Sequence, residues 1–246
     1  MEKGLARSLE PEYVSRTYKG LTAALKAVLI PGVSLNVTGI ENIPADGPYV
    51  LAFSHHSSWW DILASGQAVY EQTKRPVRYM AKEDLFRNQV LGSAITALNG
   101  IPVSRHEYKP EQVKNAVDHL NTGNVVGVGV EGTRIYGPEL AKLKRGVGII
   151  ASLANVKIAP VAIRGREHHL RKKRPTITPP LEVVFGEMLE VPNYSGQFDP
   201  MELSSDNFPR ELLKAAIEVQ RELRQGLQIA LDEATARSDN PPRQKD

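Results

Sequence analysis

The sequence predicts an α/β fold in which a mostly parallel sheet is flanked by helices, with amphipathic helices before it and a long helix after it. Short runs of β-type apolar residues alternate with helical stretches along most of the chain, which is typical of parallel strands joined by helices. Several runs are apolar at nearly every position, as in strands buried on both faces. The chain has 246 residues, 41% of them hydrophobic, enough for one large core.

The N-terminal part of the chain is predicted to be helical. Between Tyr13 and Leu29, apolar residues recur every three or four positions, which is the spacing of one helix face. Pro31 and Gly32 follow and end the helix. We therefore assign residues 1–33 to an N-terminal helical extension. Such a stripe packs against a sheet or lies in a bilayer interface, and both alternatives stay open.

The central part of the chain, residues 34–195, is predicted to form one α/β domain. No linker divides the stretch between Leu35 and Val191. The predicted strands are Leu35–Thr38, Tyr49–Ser54, Val77–Ala81, Ile101–Val103, Val125–Val130, Ile158–Ile163 and Leu181–Phe185. The predicted helices are Trp59–Glu71, Lys82–Leu98, Pro110–Leu120 and Leu140–Leu153.

Residues 196–236 are predicted to form a helical segment that packs back on the domain. Their apolar stripe predicts one long helix. The stripe consists of Leu213, Ala216, Ile217, Gln220, Leu223, Leu227, Ala230 and Ala234. The last residues, 237–246, are polar and rich in proline and charge, and we expect a disordered tail.

Composition excludes several classes of protein. The chain has no cysteine, which excludes disulfides, thiolate metal sites and a cysteine nucleophile, and which suits a reducing compartment. The net charge is only +3, so any strong electrostatic field is local. No run approaches the ~18 apolar residues of a spanning helix, and the first residues do not resemble a signal peptide. We expect a soluble or peripheral protein.

A dense group of polar residues follows the second strand, from Ser54 to Asp61. Ligands usually bind at this end of the strands in open α/β sheets. On one continuous helix, His56 and Asp61 would point about 140° apart. With Ser57 or Ser58 as N-cap, His56 lies on the preceding loop and Asp61 in the first turn. Asp61 would then accept the ring N–H of His56, and the other ring nitrogen would act as a general base.

Two other interpretations of this group stay open. In the first, Ser58 and Asp61 form a capping box, and His55 and His56 are ordinary strand-end residues. In the second, the two histidines and Asp61 bind a metal. We expect no metal, because adjacent side chains at a strand end point in opposite directions and no other cluster has ligand spacing.

The segment Glu131-Gly132-Thr133-Arg134 follows the fifth strand. It completes a G-x-G-x-x-G pattern, but the first two glycines lie inside the strand, so a dinucleotide site is not indicated. As a strand-end loop, Gly132 lets the backbone approach a ligand, and Arg134 offers a two-pronged contact to a phosphate. The alternative is a structural turn in which Glu131 and Arg134 are solvated.

A second arginine, Arg105, follows the fourth strand in the same relative position. Two arginines near a histidine indicate an anionic substrate with a transferable group. The chain has neither a G-x-S-x-G elbow nor a P-loop, which disfavours a serine hydrolase and a nucleotide kinase.

Taken in order, these segments resemble the glycerolipid acyltransferase family, whose best-known members are lysophosphatidic acid acyltransferases. The family has four ordered blocks, and the resemblance covers roughly residues 35–186. The matching segments are His56 with Asp61, Gly100 to Arg105, Glu131 to Arg134, and Ile158 to Ile163 with Pro160 inside it. Lys82 and Lys144-Arg145-Gly146 also stand where related members carry similar residues.

The resemblance implies an O-acyltransferase of phospholipid biosynthesis. The enzyme would move a fatty acyl group from acyl-CoA or acyl-carrier protein to a lysophospholipid, above all 1-acyl-sn-glycerol-3-phosphate, to give phosphatidic acid. The catalytic residues would be His56, Asp61 and Glu131, and Pro160 would shape the pocket. The substrate-binding residues would be Arg105, Gly132, Thr133, Arg134 and Lys82. The acyl donor would be a co-substrate and no cofactor is implied. The alternatives are another phosphorylated or glycosylated lipid acceptor, and a metal-dependent hydrolase that uses His55, His56 and Asp61.

The expected partners are the acyl donor, the lysophospholipid and a membrane surface. A basic stretch from Arg164 to Arg174 would meet anionic headgroups or donor phosphates, or it is a solvated loop. Aromatic residues are missing from this stretch, so nucleic acid is not expected. We predict a cytoplasmic protein that associates peripherally with the inner face of the cell membrane.

Overall fold

Seven strands form one mixed sheet in the part of the chain that the structure describes. The computed structural model describes residues 35–54, 59–98, 100–104, 107–133, 135, 139–164, 181–204 and 206–239, and at 59–61, 63, 64, 238 and 239 it describes the backbone only. The strands are β1 (Leu35–Thr38), β2 (Tyr49–Phe53), β3 (Val77–Lys82), β4 (Ile101–Val103), β5 (Val125–Gly129), β6 (Ile158–Arg164) and β7 (Leu181–Phe185).

The strands follow the order β1-β7-β6-β2-β5-β3-β4 across the sheet. All neighbouring pairs are parallel except β6 and β7. Because β1 runs parallel to β7, these two strands point opposite to the other five. The predicted mostly parallel sheet is confirmed, and the reversal between β6 and β7 is an addition that the alternation of strands and helices does not reveal.

The central strand β2 contributes to a core on each face of the sheet. Val50 and Ala52 belong to the core on one face, and Tyr49, Leu51 and Phe53 belong to the core on the other. All five residues are at most 2% exposed. A strand that is apolar at every position is therefore buried on both sides, as its sequence predicts.

Five α-helices accompany the sheet within the described residues. They are α1 (Trp59–Thr73), α2 (Gln89–Ala97), α3 (Pro110–Asn121), α4 (Gly146–Ala154) and α5 (Arg210–Asp239). Short 3-10 helices cover Ile40–Asn42, Glu83–Arg87 and Pro200–Glu202. None of these described helices is both long and apolar enough to cross a bilayer.

Two helices differ from the prediction. The stretch predicted as one helix from Lys82 to Leu98 is divided at Asn88, whose Oδ1 accepts hydrogen bonds from the backbone N–H groups of Val90 (3.1 Å) and Leu91 (2.9 Å). This is an N-cap, so a new helix begins there. The helix predicted from Leu140 begins only at Gly146.

The long C-terminal helix α5 is confirmed, but its buried face is partly different from the predicted one. Ala216, Leu223, Leu227, Ala230 and Ala234 are buried as predicted. Ile217 is 41% exposed, whereas Leu212 and Val219 are buried in its place. The helix extends to Asp239, beyond the predicted boundary at residue 236. The predicted N-terminal extension, residues 165–174 of the basic stretch and residues 240–246 of the tail lie outside the described residues.

Candidate active site

The strands β6, β2, β5, β3 and β4 run in one direction, so their carboxyl ends meet at one edge of the sheet. We call this edge the carboxyl edge and the opposite one the amino edge. Ser54 follows β2 at the carboxyl edge, Lys82 ends β3, Ser104 follows β4 and Glu131 closely follows β5. The segments that carry the predicted site residues therefore converge, as the sequence predicts.

A cavity of about 860 Å³ opens at the carboxyl edge. Much of its wall is apolar, with side chains from β3, β5, α3, α4 and the start of α5. Its described charged lining consists of Lys82, Lys109, Lys144, Arg145, Glu107 and Glu131. Four cations against two carboxylates give this lining a positive balance, so the cavity suits a ligand with an anionic group and a long apolar part.

The loop Glu131–Thr133 forms part of the cavity wall. Gly132 has φ 69°, in the left-handed region that favours glycine, and its N–H donates to the Gly129 carbonyl (3.1 Å). Glu131 is only 3% exposed, which contradicts the alternative of a turn with a solvated glutamate. A carboxylate this deeply buried depends on polar partners. Thr133 lies on the same loop and is exposed.

Lys144 lies against this loop and is a site residue that the sequence analysis did not select. Its N–H donates to the Val130 carbonyl (2.7 Å), and the Val130 N–H donates to the Phe53 carbonyl (3.1 Å). A Cβ added at Gly132 would lie 3.5 Å from both Cγ and Cε of Lys144, so the lysine stem passes over the glycine. The only signal for Lys144 in the sequence was the resemblance of its segment to related members.

Lys82, which was predicted to bind substrate, lies in the cavity wall and pairs with Asp84. Beside it, Lys109 pairs with Glu83 and Glu107, each at 3.0 Å. Hydrogen bonds to these two carboxylates raise the pKa of Lys109, so it remains a cation throughout the physiological range. Lys109 therefore joins the segment after β3 to the segment after β4, and the sequence analysis missed it because its partner Glu83 is remote in the chain.

The backbone just after β4 is fixed by a side chain of α3. The N–H of Ser104 donates to Oε1 of Gln112 (2.8 Å), and the next residue is Arg105. Gln112 and Tyr108 also line the cavity. Burial raises the pKa of Tyr108 to about 12, with Glu111 adding to the effect, so its phenol stays neutral and able to donate a hydrogen bond.

Three of the predicted site residues, His56, Arg105 and Arg134, lie outside the described residues. Asp61 lies in the first turn of α1, which begins at Trp59, and its side chain is not described. The structure thus brings Lys82, Glu131, Gly132 and Thr133 together around one cavity, and it places Ser54 and Ser104 at the same edge. The roles of these residues remain predictions.

Pro160, which was expected to shape the pocket, is not among the described lining residues of this cavity. It is buried in β6, and a Cβ added at Gly226 of α5 would lie 3.4 Å from its Cγ. Proline at this point packs the sheet against the C-terminal helix. Within the described residues, no group of three histidine, aspartate or glutamate side chains is placed to hold a metal ion.

Comparisons with known proteins agree with the resemblance seen in the sequence. The acyltransferase family model matches residues 34–164. A 1-acyl-sn-glycerol-3-phosphate acyltransferase of Bacillus subtilis (strain 168) is 34% identical over 148 residues, which are 60% of this chain and 71% of that protein. One of Pseudomonas aeruginosa is 29% identical over 137 residues, 54% of this chain and 51% of that protein.

The fold is also similar to a solved structure. The crystal structure of the 1-acyl-sn-glycerophosphate (LPA) acyltransferase PlsC from Thermotoga maritima superposes with a TM-score of 0.62 at 24% identity, covering 95% of this chain and 87% of that one. The family match spans β1 to β6, including every strand that contributes to the carboxyl edge. The chain therefore belongs to the acyltransferase family, as an O-acyltransferase.

Proposed function

We propose that this enzyme transfers a fatty acyl group from acyl-CoA or acyl-carrier protein to the free hydroxyl of 1-acyl-sn-glycerol-3-phosphate, giving phosphatidic acid. The observation that carries the proposal is the cavity at the carboxyl edge, where Glu131, Gly132 and a positive lining adjoin an apolar wall. The acceptor has the matching chemistry, with a phosphate at one end and an acyl chain at the other. The names of the relatives support the same acceptor.

The proposed chemistry is a direct transfer. His56, oriented by Asp61, takes the proton from the acceptor hydroxyl. The hydroxyl oxygen attacks the thioester carbonyl carbon, a new ester C–O bond forms, and the C–S bond breaks. The proton held by His56 goes to the leaving thiolate. Glu131 positions the acceptor or the arginines, and no covalent acyl-enzyme is required.

Recognition of the acceptor phosphate is assigned to Arg105, Arg134 and Lys82. Guanidinium groups bind phosphate oxygens in a two-pronged geometry, and an ammonium adds a point charge. Lys82 already lies in the cavity wall, and Ser104, the residue before Arg105, is held by Gln112. These contacts would fix the acceptor so that its hydroxyl meets His56.

Acyl transfer is tested with the purified full chain, 1-acyl-sn-glycerol-3-phosphate and isotope-labelled acyl donors. Mass spectrometry of the lipid products should show labelled phosphatidic acid that depends on His56. Parallel reactions with acyl-CoA and acyl-carrier protein identify the donor. Parallel reactions with lysophosphatidylcholine and a lysoglycolipid test the other acceptors. Acylation of either of these, without labelled phosphatidic acid, would contradict the proposed substrate.

We also propose that the enzyme works peripherally on the inner face of the cell membrane. The acceptor is amphiphilic, and the candidate contacts are the Tyr13 to Leu29 stripe and the basic residues Arg171 to Arg174. Arg164, which was counted with the basic stretch, is 7% exposed and donates its Nε–H to Oγ1 of Thr235 (3.1 Å). It belongs to the core and is removed from this proposed surface.

Vesicle sedimentation tests the membrane proposal. Each basic residue near an anionic surface contributes roughly 1 kcal/mol, so binding should weaken with salt. Replacing Arg171, Lys172, Lys173 and Arg174 by glutamine should weaken it in the same way. If vesicle binding does not change with salt, with anionic lipid content or with these substitutions, the N-terminal stripe is the remaining candidate anchor.

A further inference from the structure

The segment between the Glu131 loop and α4, residues 139–145, is held by side chains of the C-terminal helix. Arg224 donates from Nη1 to the Ala141 carbonyl (2.8 Å) and from Nη2 to the Leu140 carbonyl (3.1 Å). Gln220 donates from Nε2 to the Leu143 carbonyl. Residues 139–145 contain no helix or strand, so these side chains supply partners that regular structure would otherwise give the carbonyls.

The same segment is fixed from within by burial. Leu140 is 5% exposed and Leu143 is 2% exposed, and both belong to the core that includes α4 and α5. Near the end of the segment, the N–H of Lys144 is bonded to the Val130 carbonyl. A continuous set of contacts therefore runs from α5, through the segment and Lys144, to the loop at the carboxyl edge.

Close packing between α4 and α5 fixes the helix from which these side chains come. A Cβ added at Gly148 would lie 3.2 Å from Cα and 3.3 Å from the carbonyl oxygen of Ala216, so the two backbones approach closely. Gln220 and Arg224 follow Ala216 at successive intervals of four residues, which places all three on one face of α5. Arg224 therefore lies on the face of α5 that packs closely against α4.

The contacts from α5 to residues 139–145 fix the position of Lys144, one of the cations in the cavity wall. Its backbone is bonded to Val130 and its stem crosses Gly132, so its ammonium is presented beside the Glu131 loop, in the cavity wall. An ammonium in that place has the charge and compact shape to bind a phosphate oxygen. Both substrates of the proposed reaction carry phosphate, the acceptor as a monoester and the donor in its CoA or carrier-protein part.

We propose that Arg224, with Gln220, is a positioning residue for acyl transfer, and that it acts by placing Lys144 against a substrate phosphate. The proposal rests on the proposed function. The family match ends at residue 164. The proposal adds residues of the C-terminal helix to those that support the active site, so this helix has a role beyond the core.

The test compares Arg224→Ala, Arg224→Lys and Lys144→Ala with the wild type, and uses Arg221→Ala as the matched control. Arg221 is exposed on the same helix. Lys144→Ala should raise KM for one substrate about tenfold, as for loss of a charged hydrogen bond. Arg224→Ala should raise the same KM about fivefold through misplacement. Arg224→Lys, which can still donate to the carbonyls, should recover part of the loss, and Arg221→Ala should change nothing.

The double variant decides whether Arg224 acts through Lys144. Once Lys144 is alanine, Arg224→Ala should have almost no further effect on KM, because the two effects share one cause. KM measured separately for acceptor and donor shows which phosphate Lys144 contacts. Independent, multiplying effects of the two substitutions, or an unchanged KM in Arg224→Ala, would overturn the proposal even if the protein were less stable.

Amide hydrogen exchange separates this proposal from the proposed function, since it needs no substrate. Arg224→Ala should speed exchange at residues 139–145, and Arg221→Ala should not. Unchanged exchange would overturn the positioning role whatever the acceptor is. A wild-type enzyme that makes no phosphatidic acid, with faster exchange in Arg224→Ala, would count against the proposed acceptor while supporting the contact between α5 and the segment.

Discussion

Two loops at opposite edges of the sheet are held by side-chain hydrogen bonds of different range. At the amino edge, Oγ1 of Thr122 donates to the His119 carbonyl (2.9 Å), and Nδ2 of Asn124 donates to Oγ1 of Thr122 (2.8 Å). At the carboxyl edge, Gln220 reaches a carbonyl 77 positions away and Arg224 one 84 positions away. The first set closes a turn between neighbours, and the second joins distant parts of the chain.

This difference in hydrogen-bond range indicates that the two loops have different roles. Bonds between neighbours in sequence cost little chain entropy, so a turn at the amino edge forms from its own residues. The long-range bonds at the carboxyl edge depend on a completed fold, and they act on the backbone around the cavity. Substitutions at the carboxyl edge should therefore change activity, and those at the amino edge should change only stability.

The largest effect is expected from His56→Ala, because the sequence predicts that His56 lies at the carboxyl edge. Loss of a positioned general base lowers the rate by about 10²–10⁴-fold, while the fold should remain intact. His55→Asn is the matched control, because only His56 has the four-residue separation from Asp61. The measurement is kcat with saturating substrates, beside the melting temperature. Equal losses in both variants would show that the base is assigned wrongly.

The next effect concerns the two arginines that the sequence predicts for the same edge. Arg134→Ala and Arg105→Ala should each raise the acceptor KM by about 10- to 100-fold, the value of a lost charge-assisted hydrogen bond. Lysine at either position should recover only part of it, because an ammonium lacks the two-pronged geometry. Steady-state kinetics against acceptor concentration measures this, with the donor KM as control. An unchanged acceptor KM in both alanine variants would remove the phosphate-binding role.

The range of the contacts also explains which features the sequence could predict. The strands were predictable because apolar runs report burial locally: Val125 and Val126 in β5 are fully buried, as expected. The apolar spacing of Leu140, Leu143 and Val147 imitates a helix, and all three are indeed buried. The first two are not helical, because their carbonyls are bonded to Arg224 and Gln220, which no local pattern reveals.

For the candidate site as well, local motifs were predictable and long-range contacts were not. Glu131 and Gly132 were found because they stand together in a motif, whereas Lys109 reaches its partner Glu83 across 26 positions and was missed. The predicted buried face of α5 differs from the observed one because Ile217 and Val219 are both apolar. Val219 is the one that is buried, and it packs against Gly148 of α4. Motifs thus identify residue types at the carboxyl edge, and the fold decides their neighbours.

A pair of glycines compares the two edges directly. Gly132 (φ 69°) lies at the carboxyl edge and Gly123 (φ 83°) at the amino edge. A Cβ has room at each, with contacts no closer than 3.5 Å at Gly132 and none within 4 Å at Gly123. Alanine at either position should lower the free energy of unfolding by about 1–2 kcal/mol, the cost of a left-handed residue.

Only Gly132→Ala should also lower kcat/KM, since it moves the backbone between Glu131 and Thr133. Urea unfolding gives the stability of both variants, and kcat/KM is compared at a temperature where both are folded. A similar loss of activity in Gly123→Ala would contradict the functional difference between the edges.

The smallest expected effect is a dependence of stability on pH at the amino edge. Arg78 of β3 is 8% exposed, and its Nη1 lies 3.3 Å from Nε2 of His119 on α3. Burial, and then the charge of Arg78, lower the pKa of His119 below its ordinary value of 6.5, against a smaller opposite effect of Asp118. Neutral His119 accepts from the guanidinium, and protonation would place two cations together.

The sign follows from proton binding. Below pH 6.5, the unfolded chain binds a proton at His119 that the native protein does not bind, until the pH reaches the lower native pKa. The stabilisation from neutral His119 is therefore complete above pH 6.5 and is lost as the pH falls. His119→Gln, which keeps an acceptor but cannot titrate, should show a smaller drop in the free energy of unfolding between pH 7.5 and 5.5. Because His119 is absent from the described cavity lining, kcat/KM at pH 7.5 should not change. An equal drop in both proteins would mean that other groups cause it.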